Sequence, residues 1–139
     1  MPGRTFLDTN ILAYGQDAGS PAKQRKSREL VASLAESVDG VISTQVMQEF
    51  FVAATRKLGV PPLAAKGIIK TFSVFEIVQV SPALIQEAID CSVLNQLSFW
   101  DSLILASAAS AGCSVVLSED LNPGQVILGV TVTNPYAAR

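Results

Sequence analysis

The chain contains no histidine. That absence removes Ser-His-Asp triads, histidine-bound zinc and histidine acid–base pairs from the available chemistries. Whatever catalysis it performs must run on carboxylates, hydroxyls, Lys, Arg or a metal ion. Cysteine is scarce. Cys91 and Cys113 lie among apolar or small residues and read as buried free thiols, suited to a reducing compartment. With no histidine to activate it, neither reads as a nucleophile. Hydrophobic residues make up 49% of the chain, yet no apolar run approaches the roughly 20 residues of a membrane helix. The start, MPGRTFLDTN, lacks the long apolar region of a signal peptide. The expectation is a cytoplasmic globular protein with no membrane segment, and with apolar surface left over for a partner.

Basic residues are scarce in the second half. Residues 1–70 hold nine Lys/Arg against six Asp/Glu, and residues 71–139 hold one against six. A basic first half beside an acidic site leaves room for a polyanionic partner despite the net charge of -2. With 139 residues the chain is expected to form one domain, 1–139, large enough to bury a core.

Four lone carboxylates stand out against this background. They are Asp8 in FLDTN, Glu49 in VMQEFF, Asp101 in FWDSLIL and Asp120 in VVLSEDL. Asp101 is the only charged residue between Cys91 and Ser118. An ionised carboxylate in an apolar segment is costly unless it is paired or binds a metal. With almost no Lys or Arg nearby in sequence, a shared divalent cation is the leading explanation. Oxygen donors without His or Cys favour Mg²⁺ or Mn²⁺.

Patterning gives these residues a location. Strands are expected at 4–8, 41–43, 75–80, 114–118 and 130–134. Helices are expected over 21–38, from Thr44 as N-cap to Lys57, from Pro61–Pro62 to Phe72, from Ser81 to Gln96, and from Ser98 until Gly112 closes it. Strands alternating with helices imply an α/β fold with a mostly parallel, covered sheet. Asp8 then ends the first strand and Asp120 lies just past the fourth, at the edge beyond strand C-terminal ends where open α/β sheets bind ligands. Glu49 and Asp101 fall near helix starts facing the same edge.

Each carboxylate also has a plainer role open to it. Asp8 could cap a following helix, as could Thr9 or Asn10. Asp101 completes a capping-box pattern with Ser98. Glu49 could be exposed, and Asp120 could be an acidic turn residue. The basic stretch Lys23, Arg25, Lys26 and Arg28 is either a solvated helix face or a set of phosphate contacts, with Arg56, Lys57, Lys66 and Lys70 as further candidates. Phe50, Phe51, Phe99 and Trp100 are expected in the core. Trp100, beside Asp101, is the one to test as a base-stacking platform.

Taken in order, FLDTNIL, STQVMQEF, FWDSLILASA and LSEDLNPG resemble the PIN-domain ribonucleases over nearly the whole chain, and most closely the VapC-type toxins of toxin–antitoxin pairs. The resemblance implies a three-layer α/β/α sandwich around a central, mostly parallel sheet. It implies a Mg²⁺- or Mn²⁺-dependent endoribonuclease whose acidic site maps onto Asp8, Glu49, Asp101 and Asp120. Thr9, Asn10 and Ser118 match supporting positions, and Glu119 stands where it could substitute for or assist Asp120. It further implies an RNA substrate, a homodimer and a cognate antitoxin whose tail crosses the acidic groove. The alternatives are a PIN nuclease of RNA processing that is not a toxin, and a non-catalytic PIN-like module that binds RNA or protein.

Overall fold

The computed structural model describes residues 3–137. Among these, six strands form one sheet in the order β3-β2-β1-β4-β6-β5. The strands are β1 (Thr5–Leu7), β2 (Gly40–Ser43), β3 (Glu76–Val78), β4 (Val115–Leu117), β5 (Val126–Ile127) and β6 (Val130–Thr133). All neighbours are parallel except β5 and β6. Helices α1 (Thr9–Tyr14) and α2 (Pro21–Ser37) connect β1 to β2, and α3 (Thr44–Arg56) and α4 (Pro62–Thr71) connect β2 to β3. A 3₁₀ turn (Phe72–Val74) follows α4. Helices α5 (Pro82–Asn95) and α6 (Phe99–Ser110) then carry the chain back across the sheet to β4. The result is the expected α/β sandwich with helices flanking a mostly parallel sheet.

Buried parallel strands are short runs of apolar residues, and these follow the rule. Phe6, Leu7, Val41, Ile42, Val116, Val130 and Val132 are each buried, and Phe50 of α3 packs edge-on to Phe72 at 5.0 Å. Helix α6 is buried almost all round from Ser102 to Ala108, as its near-continuous small and apolar sequence demands. Cys91 and Cys113 are buried free thiols, as expected. Among the described residues no helix is long and apolar enough to cross a membrane.

The order of the strands positions the site. From β1 the chain moves one way to β2 and β3, then returns to lay β4 on the other side of β1. The crevice between β1 and β4 is therefore a topological switch point, the place where open α/β sheets take ligands.

Three local readings change. Residues 9–14, given no helix bounds from sequence, form α1, and Asp8 takes the N-cap role that was open to it. The cap of α3 is Ser43, whose hydroxyl accepts the Val46 N–H at 3.3 Å, rather than Thr44. A sixth strand, β5, pairs antiparallel with β6 through a two-residue turn in which both Leu128 and Gly129 have positive φ. That turn lacks the Asn-Gly or Asp-Gly signature from which such hairpins are read.

Close packing makes one glycine indispensable. A Cβ on Gly40, at the start of β2, would stand 2.4 Å from Cδ1 of the buried Phe75. Overpacking of this kind costs about 1–3 kcal/mol. Gly40→Ala is expected to lower the urea midpoint correspondingly without changing the denaturant slope.

Candidate active site

Asp8 leaves β1 directly into the N-cap of α1. Its Oδ1 accepts the Thr9 N–H at 2.7 Å, and its Oδ2 accepts the Ser118 hydroxyl at 2.6 Å, across the switch-point crevice. The residue is only 6% exposed. Burial pushes its carboxyl up to about 6, against the lowering effect of those two hydrogen bonds, and repulsion from Glu49 and Asp120 adds to the rise. Asp8 thus caps a helix and also lies within the field of two other acids.

Neighbouring polar groups hold the crevice together. Thr9 Oγ1 donates to Glu49 Oε1 at 2.6 Å, joining α1 to α3. Asn10 Nδ2 donates to Asp120 Oδ2 at 2.9 Å, and Asn10 Oδ1 accepts the Glu119 N–H at 3.2 Å. Ser118 Oγ, besides serving Asp8, accepts the N–H groups of Asp120 and Leu121 at 3.1 and 3.3 Å. It is fully buried and fixes the turn after β4. The three supporting residues of the sequence analysis therefore each connect one acid to another element.

Asp101 is placed differently. It stands in the first turn of α6, where its N–H donates to Ser98 Oγ at 3.0 Å. Its carboxylate makes no hydrogen bond among the described residues, so only one half of the expected capping box forms. Its link to the other acids runs through the preceding residue. Gln45 Nε2 bridges Glu49 Oε2 at 3.1 Å and the Trp100 carbonyl at 3.2 Å. Glu119 accepts from the Tyr14 hydroxyl at 2.5 Å and pairs with Lys23. Burial raises the Glu119 pKa, but the bonds from Lys23 and Tyr14 outweigh it and hold the carboxyl below its ordinary value.

Thr9, Asn10, Gln45, Glu49, Glu119 and Asp120 border a groove of about 890 Å³, whereas Asp8 and Asp101 are not among its lining residues. Glu49, Glu119 and Asp120 line one end, and Arg56 and Lys57, at the C-terminal end of α3, line the other. Trp100, which is 61% exposed, also lines the groove. The core placement expected for Trp100 is thus corrected. It sits in the first turn of α6, where it packs edge-on against Phe99 at 5.0 Å. Phe51 is also partly exposed, whereas Phe50 is core.

The basic residues of α2 do not line the groove. Lys23 is held by Glu119 and lies over the rings of Tyr14 and Tyr136 at 4.8 and 5.5 Å. Arg28 Nε donates to the Gly15 carbonyl at 2.8 Å. Arg25 borders a shallow recess on α2, and Lys26 is exposed.

Among the described residues, no three His, Cys, Asp or Glu side chains are gathered tightly enough to ligate one ion as they are placed. The donor chemistry nonetheless fits a hard divalent cation. Every candidate donor is oxygen. Asp8 is buried where its charge is penalised, and the acids that repel it would share any cation it binds. Two site residues carried no mark in the sequence reading. Gln45 shows as a signal only in retrospect, as a polar residue one helical turn before Glu49 on the same face. Tyr14 is identifiable only through its partner, Glu119.

Parallel strands covered by helices, with acids converging at the switch point, define an α/β domain built around an acidic crevice. The family model described as the PIN domain matches residues 5–126, and the chain belongs to that family. Among solved structures, VapC20 of Mycobacterium tuberculosis, a sarcin–ricin-loop-cleaving toxin, is 23% identical with a TM-score of 0.70, over 84% of this chain and 91% of that one. A toxin–antitoxin complex from Klebsiella pneumoniae is 19% identical with a TM-score of 0.70, over 96% and 99%. DNA-bound VapBC from Salmonella typhimurium is 19% identical with a TM-score of 0.70, over 96% and 98%. At these identities the likeness is one of fold. No curated protein matches the chain.

Proposed function

We propose that the chain is a divalent-metal-dependent endoribonuclease, the toxin of a toxin–antitoxin pair. The observation that carries this reading is the convergence of Asp8, Glu49 and Asp120 from three separate elements, with burial and mutual repulsion lifting Asp8 to about 6. The solved relatives that act as toxins or assemble with antitoxins support it.

In this reading Asp8, Glu49 and Asp101 hold one Mg²⁺ or Mn²⁺ ion, and Asp120 completes the site or holds a second. When bound, the cation supplies positive charge that activates water and stabilises the leaving oxygen of a phosphodiester. The protein contributes orientation. Ser118 and the Thr9 N–H fix the Asp8 carboxylate, Thr9 and Gln45 fix Glu49, and Asn10 fixes Asp120. Lys23 and Tyr14 keep Glu119 apart as an ion-paired group, leaving Asp120 to serve. Water oxygen joins phosphorus in line as the P–O3′ bond breaks. The departing oxygen takes a proton, leaving a 3′-hydroxyl and a 5′-phosphate. The test is the chemistry of the ends. Products that a ligase requiring a 5′-phosphate and a 3′-hydroxyl can rejoin are expected, whereas 2′,3′-cyclic phosphate ends would exclude attack by water.

RNA enters along the groove, with its backbone near Arg56 and Lys57. Arg25 and Lys26 of α2, and Lys23 or Arg28 if released from their internal bonds, contact flanking phosphates. Arg56→Gln, measured by RNA binding in EDTA, is expected to reduce the salt dependence by about one phosphate contact. An unchanged slope would place the backbone elsewhere.

The partner reading follows from apolar surface. Ile85, Ile89 and Val93 form an exposed stripe on α5 at i, i+4 and i+8, suited to a second copy of the chain. The groove, with its exposed Val52 and Trp100, suits an antitoxin segment that brings a basic side chain to the acids. Buried free thiols suit a cytoplasmic setting.

A further inference from the structure

Gln45 differs from Asp8 and Ser118, the other buried polar groups of the crevice, in that its hydrogen bonding is half complete. It lies in the first turn of α3, borders the groove and is 4% exposed. Its Nε2 donates to both Glu49 Oε2 and the Trp100 carbonyl. That orientation is forced, because the reversed amide would set an oxygen against a carboxylate and a carbonyl. Its Oε1 is consequently fixed, buried and without a donor among the described residues. A buried acceptor left unpaired is unfavourable, and native proteins rarely keep one without a use.

The two bonds that Gln45 does make have a geometric consequence. Glu49 belongs to α3, and Asp101 belongs to α6. Among the described residues, the bond from Gln45 to Trp100 is the only side-chain hydrogen bond that joins these two helices. It ends on the residue immediately before Asp101. The separation of two of the proposed cation ligands is therefore set in part by one neutral amide.

We propose that Gln45 is a positioning residue of the divalent-cation site, an inference that rests on the metal-dependent reading above. Its NH₂ group fixes Glu49 relative to the start of α6. Its Oε1 accepts a hydrogen bond from a water molecule of the cation's hydration shell. Mg²⁺ and Mn²⁺ sites of this kind retain water, and such a water is a strong O–H donor. A cation held by Glu49 thus brings a donor to a buried acceptor that lacks one. Outer partners of this type set the orientation of ligands and the strength of metal binding without touching the ion.

The test uses two apolar replacements of similar size, Gln45→Leu and Gln45→Met, in the full chain. Mn²⁺ affinity is read from the electron paramagnetic resonance of free Mn²⁺, and Tm is read separately in EDTA. The expected result is a Kd for Mn²⁺ raised about 10- to 100-fold, with only a small change of Tm in EDTA, because loss of the bonds to Glu49 and the Trp100 carbonyl is offset by removal of the buried unpaired oxygen. Wild-type Mn²⁺ affinity in both variants, whatever their Tm, is the pattern of a Gln45 that serves packing alone and overturns the inference. Wild-type protein that fails to bind Mn²⁺ overturns the metal-dependent reading itself, and this inference with it.

Discussion

Replacing Asp101 with asparagine is expected to abolish RNA cleavage while leaving the fold intact. The Asp101 carboxylate makes no hydrogen bond among the described residues; only its backbone N–H is engaged, with Ser98. Asn keeps that backbone bond. The structural loss is limited to the favourable placement of an acid at a helix start, about 0.3–1 kcal/mol. The functional loss is that of a ligand to the ion, and removing a group preorganised around developing charge costs about 100- to 1,000-fold in rate. Glu49→Gln is expected to lose activity similarly but to cost some stability as well, since the new amide oxygen can still accept from Thr9 while its NH₂ group faces the Gln45 donor. Both variants are to be assayed at matched folding, checked by circular dichroism and Tm. Wild-type rates in either variant would remove that residue from the site.

The second large effect concerns Asp8 and pH. Its carboxyl is raised from the ordinary 3.8 to about 6, chiefly by burial. Between those values the folded chain keeps a proton that the unfolded chain has lost. Stability contributed by this residue is therefore present in acid, falls as pH rises from about 4 to about 6, and stays level above. A rise from 3.8 to about 6 corresponds to a loss on the order of 3 kcal/mol at neutral pH. Asp8→Asn cannot titrate and escapes this loss. Urea unfolding of wild type and variant across pH 4–7.5 is expected to show the variant gaining on wild type through that window. The variant does not recover the whole difference. Ser118 Oγ already accepts two N–H bonds, so its hydroxyl proton loses its acceptor when an Asn amide group faces it. Millimolar Mn²⁺ should restore the wild type above pH 6 and leave the variant unmoved. Parallel pH curves for the two proteins would show that Asp8 is not the strained carboxylate described here.

Most of this architecture was legible because burial leaves a strong mark on sequence. Strands of a covered parallel sheet must be continuously apolar, and a charge just past one of them, as at Asp8 and Asp120, stands out at once. The same contrast exposes Asp101, alone at the entry to a helix buried all round. What was not legible depends on tertiary geometry. Helix α1 is six residues long, too short to show a helical period, and is specified by Asp8 and its packing on α3. The β5–β6 hairpin turns on Leu128 at φ 55°, a conformation that leucine does not advertise. Trp100 reads as core because tryptophan is highly buried on average, but in the first turn of α6 it is left exposed beside the groove. Lys23 looked free to meet phosphate because its partner, Glu119, lies 96 residues away in sequence. Gln45 was hidden for the same reason: only folding brings the Trp100 carbonyl within its reach.

The central claim is that the acids at the β1–β4 crevice hydrolyse RNA with a divalent cation. Cleavage of mixed structured RNAs by the purified chain, in Mg²⁺, Mn²⁺ or EDTA and beside Asp101→Asn, tests it most directly. Cutting that requires the cation and disappears in the variant is the predicted result. Cutting that persists in EDTA or in Asp101→Asn, or folded protein that neither binds Mn²⁺ nor cuts any RNA, would contradict it.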